Sequence, residues 1–250
     1  MIANFFCPKV KFGNLAYLGD FVIHYDSTNV DMLLIQDFLS APDHFFSSGE
    51  SIKSAWKNKK IDKSVVKVRD KTFFIKRYNC LGQIYRIKNI FRKSNALKSW
   101  RTGWKFLKLG ISTPRPIICI EERRFNMLGR SYLLCEFIDD AHNLLDMWPT
   151  LNDQKRMHLL YLAGNEIGNM HHKGSLHGDL NWRNILIQGK MNHEKIFLVD
   201  LDHCHHLRRI NQKVATRDLD HFYRDSSRNN VSKKCIKHFN KSWQSAANFR

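Results

Sequence analysis

Between Lys76 and Arg115 the chain has no aspartate or glutamate, yet eleven lysines and arginines fall there. A solvated helical face ordinarily pairs its bases with acids three or four residues away. The absence argues instead for an anionic neighbour. Glycine is scarce early on: Gly49 is the only one between Gly19 and Gly82. That excludes a loop of repeated glycines cradling phosphates in this stretch. None of the six cysteines is spaced Cys-x-x-Cys, which excludes the common zinc and dithiol motifs and fits reduced thiols in the cytoplasm. No apolar run reaches the length of a membrane span. The start, Met1-Ile-Ala-Asn-Phe-Phe, lacks the charged opening and long apolar centre of a secretory signal.

What is present bounds the rest. The chain has 250 residues, 43% of them hydrophobic, enough for one two-lobed domain with a sizeable core. The net charge of +18 calls for an anionic partner: nucleic acid, an acidic membrane surface or a phosphorylated substrate. No recognisable nucleic-acid module appears, so no specific nucleic acid is expected.

The chemistry is concentrated in His177-Gly-Asp-Leu-Asn-Trp-Arg-Asn184 and in Val199-Asp-Leu-Asp202. Asp179 and Asn184 share one short loop, and Asp200 follows an apolar run of strand length. Two carboxylates and a carboxamide so spaced suit phosphoryl transfer, which needs positioning and charge neutralisation more than covalent chemistry. Asp179 would take or orient the proton of an attacking hydroxyl. Asn184 and Asp200 would hold magnesium on the phosphates of ATP. The spacing is similar to that of the protein kinases, with Gly178 in place of their arginine and Asp-Leu-Asp in place of Asp-Phe-Gly. Taken singly, these residues also fit a local turn, with Asn184 bonding its own backbone.

Around this motif the chain reads as α+β: a protein-kinase-like two-lobed fold, an antiparallel N-terminal sheet with one major helix, then a mainly helical C-terminal lobe. The lobes are drawn at 1–136 and 137–250. Residues 21–25, 64–69, 72–78, 116–121 and 131–138 read as strands, with Asp70-Lys71 as a turn, and 31–39 as a short helix. Lys76 ends one of these strands, where a kinase lysine reaches the phosphates of ATP. Glu136 to Ile138 falls where a kinase hinge offers backbone groups to adenine. Residues 94–109 read as a helix capped by Ser94 and stopped by Gly110. Leu97, Trp100, Trp104 and Leu107 lie along one face, with Lys98, Arg101, Lys105 and Lys108 beside them. This basic stripe fits an anionic membrane surface as well as it fits solvent. The helix carries no glutamate, so Lys76 needs another acid; Glu50, Glu121, Glu122 and Glu136 are the near choices. A second helix spans 153–172, with Leu159, Leu160, Ala163, Ile167 and Met170 inward. Asp218 could anchor the catalytic loop or form a surface ion pair. The run Asp202-His-Cys-His-His206 is taken as incidental rather than a metal site. The last 25 residues read as a loosely packed basic tail.

Phe74-Ile-Lys-Arg-Tyr-Asn79, Ser94 to Trp100, Leu109-Gly-Ile-Ser-Thr-Pro-Arg-Pro116, Ser131-Tyr-Leu-Leu134, His177 to Asn184 and Val199 to Asp202 together resemble the lipopolysaccharide kinases of Gram-negative bacteria. Those enzymes phosphorylate heptose or keto-deoxy-octulosonate of the inner core. The resemblance covers most of 70–205. It implies a kinase dependent on ATP and magnesium, peripheral on the cytoplasmic face of the inner membrane. Lys76 would be the ATP lysine, Asp179 the catalytic residue, and Asn184 and Asp200 the metal ligands. Some relatives carry a glutamate where this chain has Ser99. The anionic sugar substrate and the inner-membrane surface, met through helix 94–109, are the expected partners. Two alternatives stand beside it. One is a small-molecule phosphotransferase of the aminoglycoside or choline kinase type. The other is a pseudokinase-like binding module, suggested by the missing helix glutamate and glycine-rich loop.

Overall fold

The computed structural model describes residues 9–10, 13–26, 38, 42–43, 50–51, 60–68, 71–189 and 193–249. The chain divides into two compact units: Met1–Trp104 with Arg115–Phe137, and Lys105–Pro114 with Ile138–Arg250.

The first unit is built on an antiparallel sheet. Its strands are β1 (Lys9–Val10), β2 (Gly13–Leu18), β3 (Phe21–Tyr25), β4 (Glu50–Ser51), β5 (Ile61–Val68), β6 (Lys71–Tyr78), β7 (Pro116–Arg124) and β8 (Met127–Glu136), in the order β1-β2-β3-β7-β8-β6-β5-β4. Alternation in Lys71–Tyr78 puts Phe73 and Ile75 into a core with Val66, Ile120, Tyr132 and Leu134. Between β6 and β7 come α1 (Gln83–Lys88) and α2 (Asn95–Lys108). The Leu97 N–H donates to Ser94 Oγ at 3.0 Å, so the expected cap forms. Gly110 takes φ +72° just past the helix end. Ala96, Leu97 and Trp100 of α2 bury against Tyr78, Cys119 and Leu133. The expected helix at 31–39 lies outside the described residues apart from Phe38, which is buried. Residues 52–59, between β4 and β5, lie outside them too.

The second unit is mainly helical. It contains β9 (His142–Asn143), α3 (Leu144–Met147), α4 (Asp153–His172), β10 (Ser175–Leu176), β11 (Ile185–Gln188), β12 (Lys195–Leu198), β13 (His205–His206), α5 (Gln212–Asp218), α6 (Asp220–Arg228) and α7 (Lys233–Ala247). Asn152 caps α4 by accepting from the Lys155 N–H at 2.9 Å. The expected inward face of α4 is buried. The tail does not behave as expected: α7 packs along α4. Its apolar residues are few but phased, with Cys235, Phe239, Trp243 and Ala247 four apart and buried on one stripe. Gly164 and Gly168 allow the approach, because a Cβ at either would sit 2.6 Å from the carbonyl oxygen of Phe239 or Trp243. The short strand β13 of the histidine-rich run pairs with β10.

Candidate active site

The loop between β10 and β11 is fixed by its own side chains. Asn184 is buried and donates Nδ2–H to the Asp179 carbonyl oxygen at 2.9 Å and to Asp179 Oδ2 at 3.3 Å. The other carboxylate oxygen, Oδ1, lies 2.6 Å from His221 Nδ1 on α6. The Asp179 carboxylate is therefore oriented from both sides, yet remains partly exposed. Asn184 commits its amide hydrogens to Asp179, which turns its Oδ1 elsewhere as an oxygen donor.

Below the loop sits Asp218, at the end of α5. Its Oδ2 accepts the N–H of His177 at 2.8 Å, and its Oδ1 accepts the N–H of Gly178 at 2.7 Å. Oδ2 also lies 3.0 Å from His171 Nε2. His171 Nδ1 accepts from the Trp243 indole N–H at 2.9 Å. An indole nitrogen only donates, so the single ring proton of His171 is on Nε2 and points at Asp218. Burial pushes the Asp218 carboxyl up, but the His171 hydrogen bond and the two backbone N–H bonds outweigh it and hold it below the usual carboxylate range. Asp218 is thus the anchor of the loop, not a surface ion pair. Asp225 adds a third tie, accepting the Trp182 N–H at 2.9 Å.

Asp200 follows β12 by two residues and takes the left-handed conformation, φ +66° and ψ +58°, uncommon for a residue with a side chain. Val199 clamps it to the loop. The Val199 N–H donates to the Asn184 carbonyl at 3.0 Å, and the Val199 carbonyl accepts from His177 Nε2–H at 3.0 Å. His177 is fully buried. Burial lowers its pKa, against the raising influence of Asp218, the Val199 bond, Asp200 and Asp179. It is a neutral post between two segments. Gly178 has φ +78°, and a Cβ there would lie 2.4 Å from the His203 carbonyl oxygen. An arginine, as in protein kinases, has no room.

The structure thus brings Asp179 and Asn184 into contact and ties Asp200 to them through one residue. Ile138 is half-buried in the same unit. Lys76 and Glu136 belong to the other unit. Lys76 is 4% exposed. It pairs with Leu133 in the sheet, and Leu133 pairs with Cys119 on the face that α2 covers. Lys76 Nζ lies over the Tyr78 ring, 5.4 Å from its centroid. Glu136 Oε1 accepts the Arg115 N–H at 3.0 Å. Glu121 accepts the Ser94 N–H at 2.9 Å and bonds Arg123. Glu122 bonds Arg86 and Arg130.

Sequence reasoning missed His221 and Asp225. With Asp218 they fall at i, i+3 and i+7, one face of a helical stretch, and that face supports the loop at Asp179, at Trp182 and at the His177 and Gly178 N–H groups. The spacing was the available signal. Among the described residues no three His, Cys, Asp or Glu side chains form a metal cluster. A closed zinc-type site is not what this loop offers. One amide oxygen and one carboxylate is the donor set magnesium uses when phosphates and water complete its shell.

A buried strand lysine, a loop with Asp179 and Asn184, and Asp200 after the next strand pair define a protein of the protein-kinase-like fold. Comparison with known proteins gives the family. A family model described as the lipopolysaccharide kinase (Kdo/WaaP) family matches residues 54–243, and the chain belongs to that family of kinases. A 3-deoxy-D-manno-octulosonic acid kinase of Vibrio cholerae serotype O1 is 31% identical over 153 residues, 55% of this chain and 62% of that protein. A protein of the same description from Photobacterium profundum is 33% identical over 99 residues, 38% of each chain. The match therefore spans less than two thirds of either relative. A solved structure titled WaaP in complex with acyl carrier protein covers 79% of both chains with TM-score 0.60 and 13% identity, a likeness of fold.

Proposed function

We propose that the chain transfers the γ-phosphoryl group of ATP to a sugar hydroxyl of the lipopolysaccharide inner core. The naming of its curated relatives favours 3-deoxy-D-manno-octulosonic acid over heptose. The observation that carries the reading is the doubly held Asp179 carboxylate, 2.6 Å from His221 and 3.3 Å from Asn184. Asp179 orients the acceptor hydroxyl and takes its proton as the oxygen attacks phosphorus. Asn184 Oδ1 and Asp200 hold magnesium, which neutralises phosphate charge when bound. Lys76 binds the phosphates from its strand. The chain between Glu136 and Ile138 offers backbone groups to adenine. The protein works on the cytoplasmic face of the inner membrane, and no helix among the described residues is long and apolar enough to cross one. The test is phosphate analysis of core oligosaccharide from a strain lacking the protein. The expected result is loss of one phosphate, regained with the wild-type chain and not with Asp179→Ala. Unchanged core phosphate, or rescue by Asp179→Ala, overturns the reading.

A further inference from the structure

The most exposed large apolar side chains of the first unit are gathered on three segments. Leu81, Ile84, Ile87 and Phe91 lie on and around α1, a helix with no buried residue. Tyr17 and Leu18 lead into the β2–β3 turn, and Phe125 forms the β7–β8 turn. Phe91 is 93% exposed, Phe125 82%, Ile84 70% and Ile87 61%. A six-residue helix is too short to persist by propensity, and this one half-buries only Tyr85 and Arg86.

One arginine fastens all three segments to the same end of the sheet. The Arg123 guanidinium donates to the carbonyl oxygens of Ile90 at 3.2 Å and Arg92 at 2.7 Å, and to that of Asn126, beside Phe125, at 3.2 Å. Its backbone N–H donates to the carbonyl of Asp20, in the β2–β3 turn, at 2.6 Å. Arg86 of α1 adds a bond to Glu122 of β7 at 3.2 Å. The apolar residues are thus displayed by a fixed frame.

Cations alternate with them. Lys88, Arg92 and Lys93 are exposed, and no ion pair is made by any of the three among the described residues. They fall inside the acid-free stretch from Lys76 to Arg115. Exposed aliphatic and aromatic groups carried on separate turns, with unneutralised cations between them, match an interface that is apolar just beneath a layer of negative charge. A fluid bilayer needs no shaped complement, whereas a protein partner does.

We propose that this end of the first unit docks on an anionic phospholipid bilayer. Ile84, Ile87, Phe91 and Phe125 enter the interface, and Lys88, Arg92 and Lys93 meet headgroup phosphates. The contact so assigned lies upstream of the basic helix α2, whose Leu97 and Trp100 are buried and whose exposed cations are Lys98 and Lys108. The proposal stands on this surface alone and does not depend on which sugar is phosphorylated.

Co-sedimentation of the full chain with phosphatidylcholine vesicles, with and without phosphatidylglycerol, tests it. Wild type should pellet with the anionic vesicles and be released by salt. Ile84→Ser, Ile87→Ser and Phe91→Ser combined should lower partition at least about tenfold. Lys88→Glu, Arg92→Glu and Lys93→Glu combined should lower it on the order of a hundredfold on anionic vesicles and remove the salt response. Lys98→Glu with Lys108→Glu should have a smaller effect. Phe91→Ser alone provides the comparison if a triple variant melts earlier than wild type. Wild type staying in the supernatant overturns the proposal, as does an apolar variant that pellets like wild type. A Lys98/Lys108 reversal matching the upstream one moves the surface to α2 and also overturns it. Binding to a soluble acidic protein without binding to vesicles does the same.

Discussion

Asp218→Asn removes one oxygen acceptor and one charge from beneath the catalytic loop. In the native protein Oδ1 serves the Gly178 N–H, and Oδ2 serves the His177 N–H and the His171 ring. If the asparagine oxygen keeps the latter two, its amide hydrogens face the Gly178 N–H, donor against donor. A hydrogen bond to a charged group contributes about 1.5–3 kcal/mol, and a neutral one about 1 kcal/mol. Losing one such bond and neutralising two gives a loss of about 3–5 kcal/mol, a large share of the ordinary 5–15 kcal/mol of a domain. Gly178 precedes Asp179, so turnover should also fall by about a hundredfold. Urea unfolding and steady-state transfer measured on the same preparation check both. The sign with pH is fixed too. The native Asp218 carboxyl titrates below its ordinary 3.8, so its stabilisation is present above that value and lost as pH falls through the native one. In Asp218→Asn that acid-dependent loss is absent. A destabilisation under about 1 kcal/mol with wild-type turnover would refute the anchoring role.

Asp179→Ala should lower turnover by about two to four orders of magnitude, the scale for a lost general base, with the unfolding midpoint near wild type. His221→Ala should lower kcat by about tenfold with little change in KM for ATP, and His221→Gln should recover part of it; equal losses in kcat and stability would make His221 merely structural. Burial of His24, aided by Arg101 and Arg123 and opposed by Glu121, lowers its pKa from 6.5 to about 4. The unfolded chain takes up that proton first, so the native protein should lose about 3 kcal/mol as pH falls across that window. His24→Leu should flatten the slope in urea titrations at several pH values, and an unchanged slope would count against the assignment.

Local signals and dense helical faces were legible; a sparse stripe and partners distant along the chain were not. Asp179, Asn184 and Asp200 announce themselves because their residue types and spacing are tied to one short loop and one strand. Helix α2 was readable from Ser94, Gly110 and the tryptophan spacing, and α4 from its apolar face. The α7 tail was misjudged because six apolar residues in fifteen, two of them alanines, look sparse when counted. Four of them, Cys235, Phe239, Trp243 and Ala247, are placed four apart and suffice for a stripe against Gly164 and Gly168. His221 stayed hidden because nothing local to it names a partner 42 residues earlier. Strand β2, Gly13–Leu18, has little alternation of its own. It is defined by pairing with β3, and pairing is invisible along one strand.

The path from the Trp243 indole through His171 to Asp218 crosses the second unit and ends on the N–H groups of His177 and Gly178. A ribosome delivers residue 243 last among these. Until it does, His171 lacks the donor that settles its proton, and the loop rests on an incompletely oriented carboxylate. The hydrogen-bond path beneath residues 177 and 178 is therefore complete only when the chain has been made through α7 and that helix has seated.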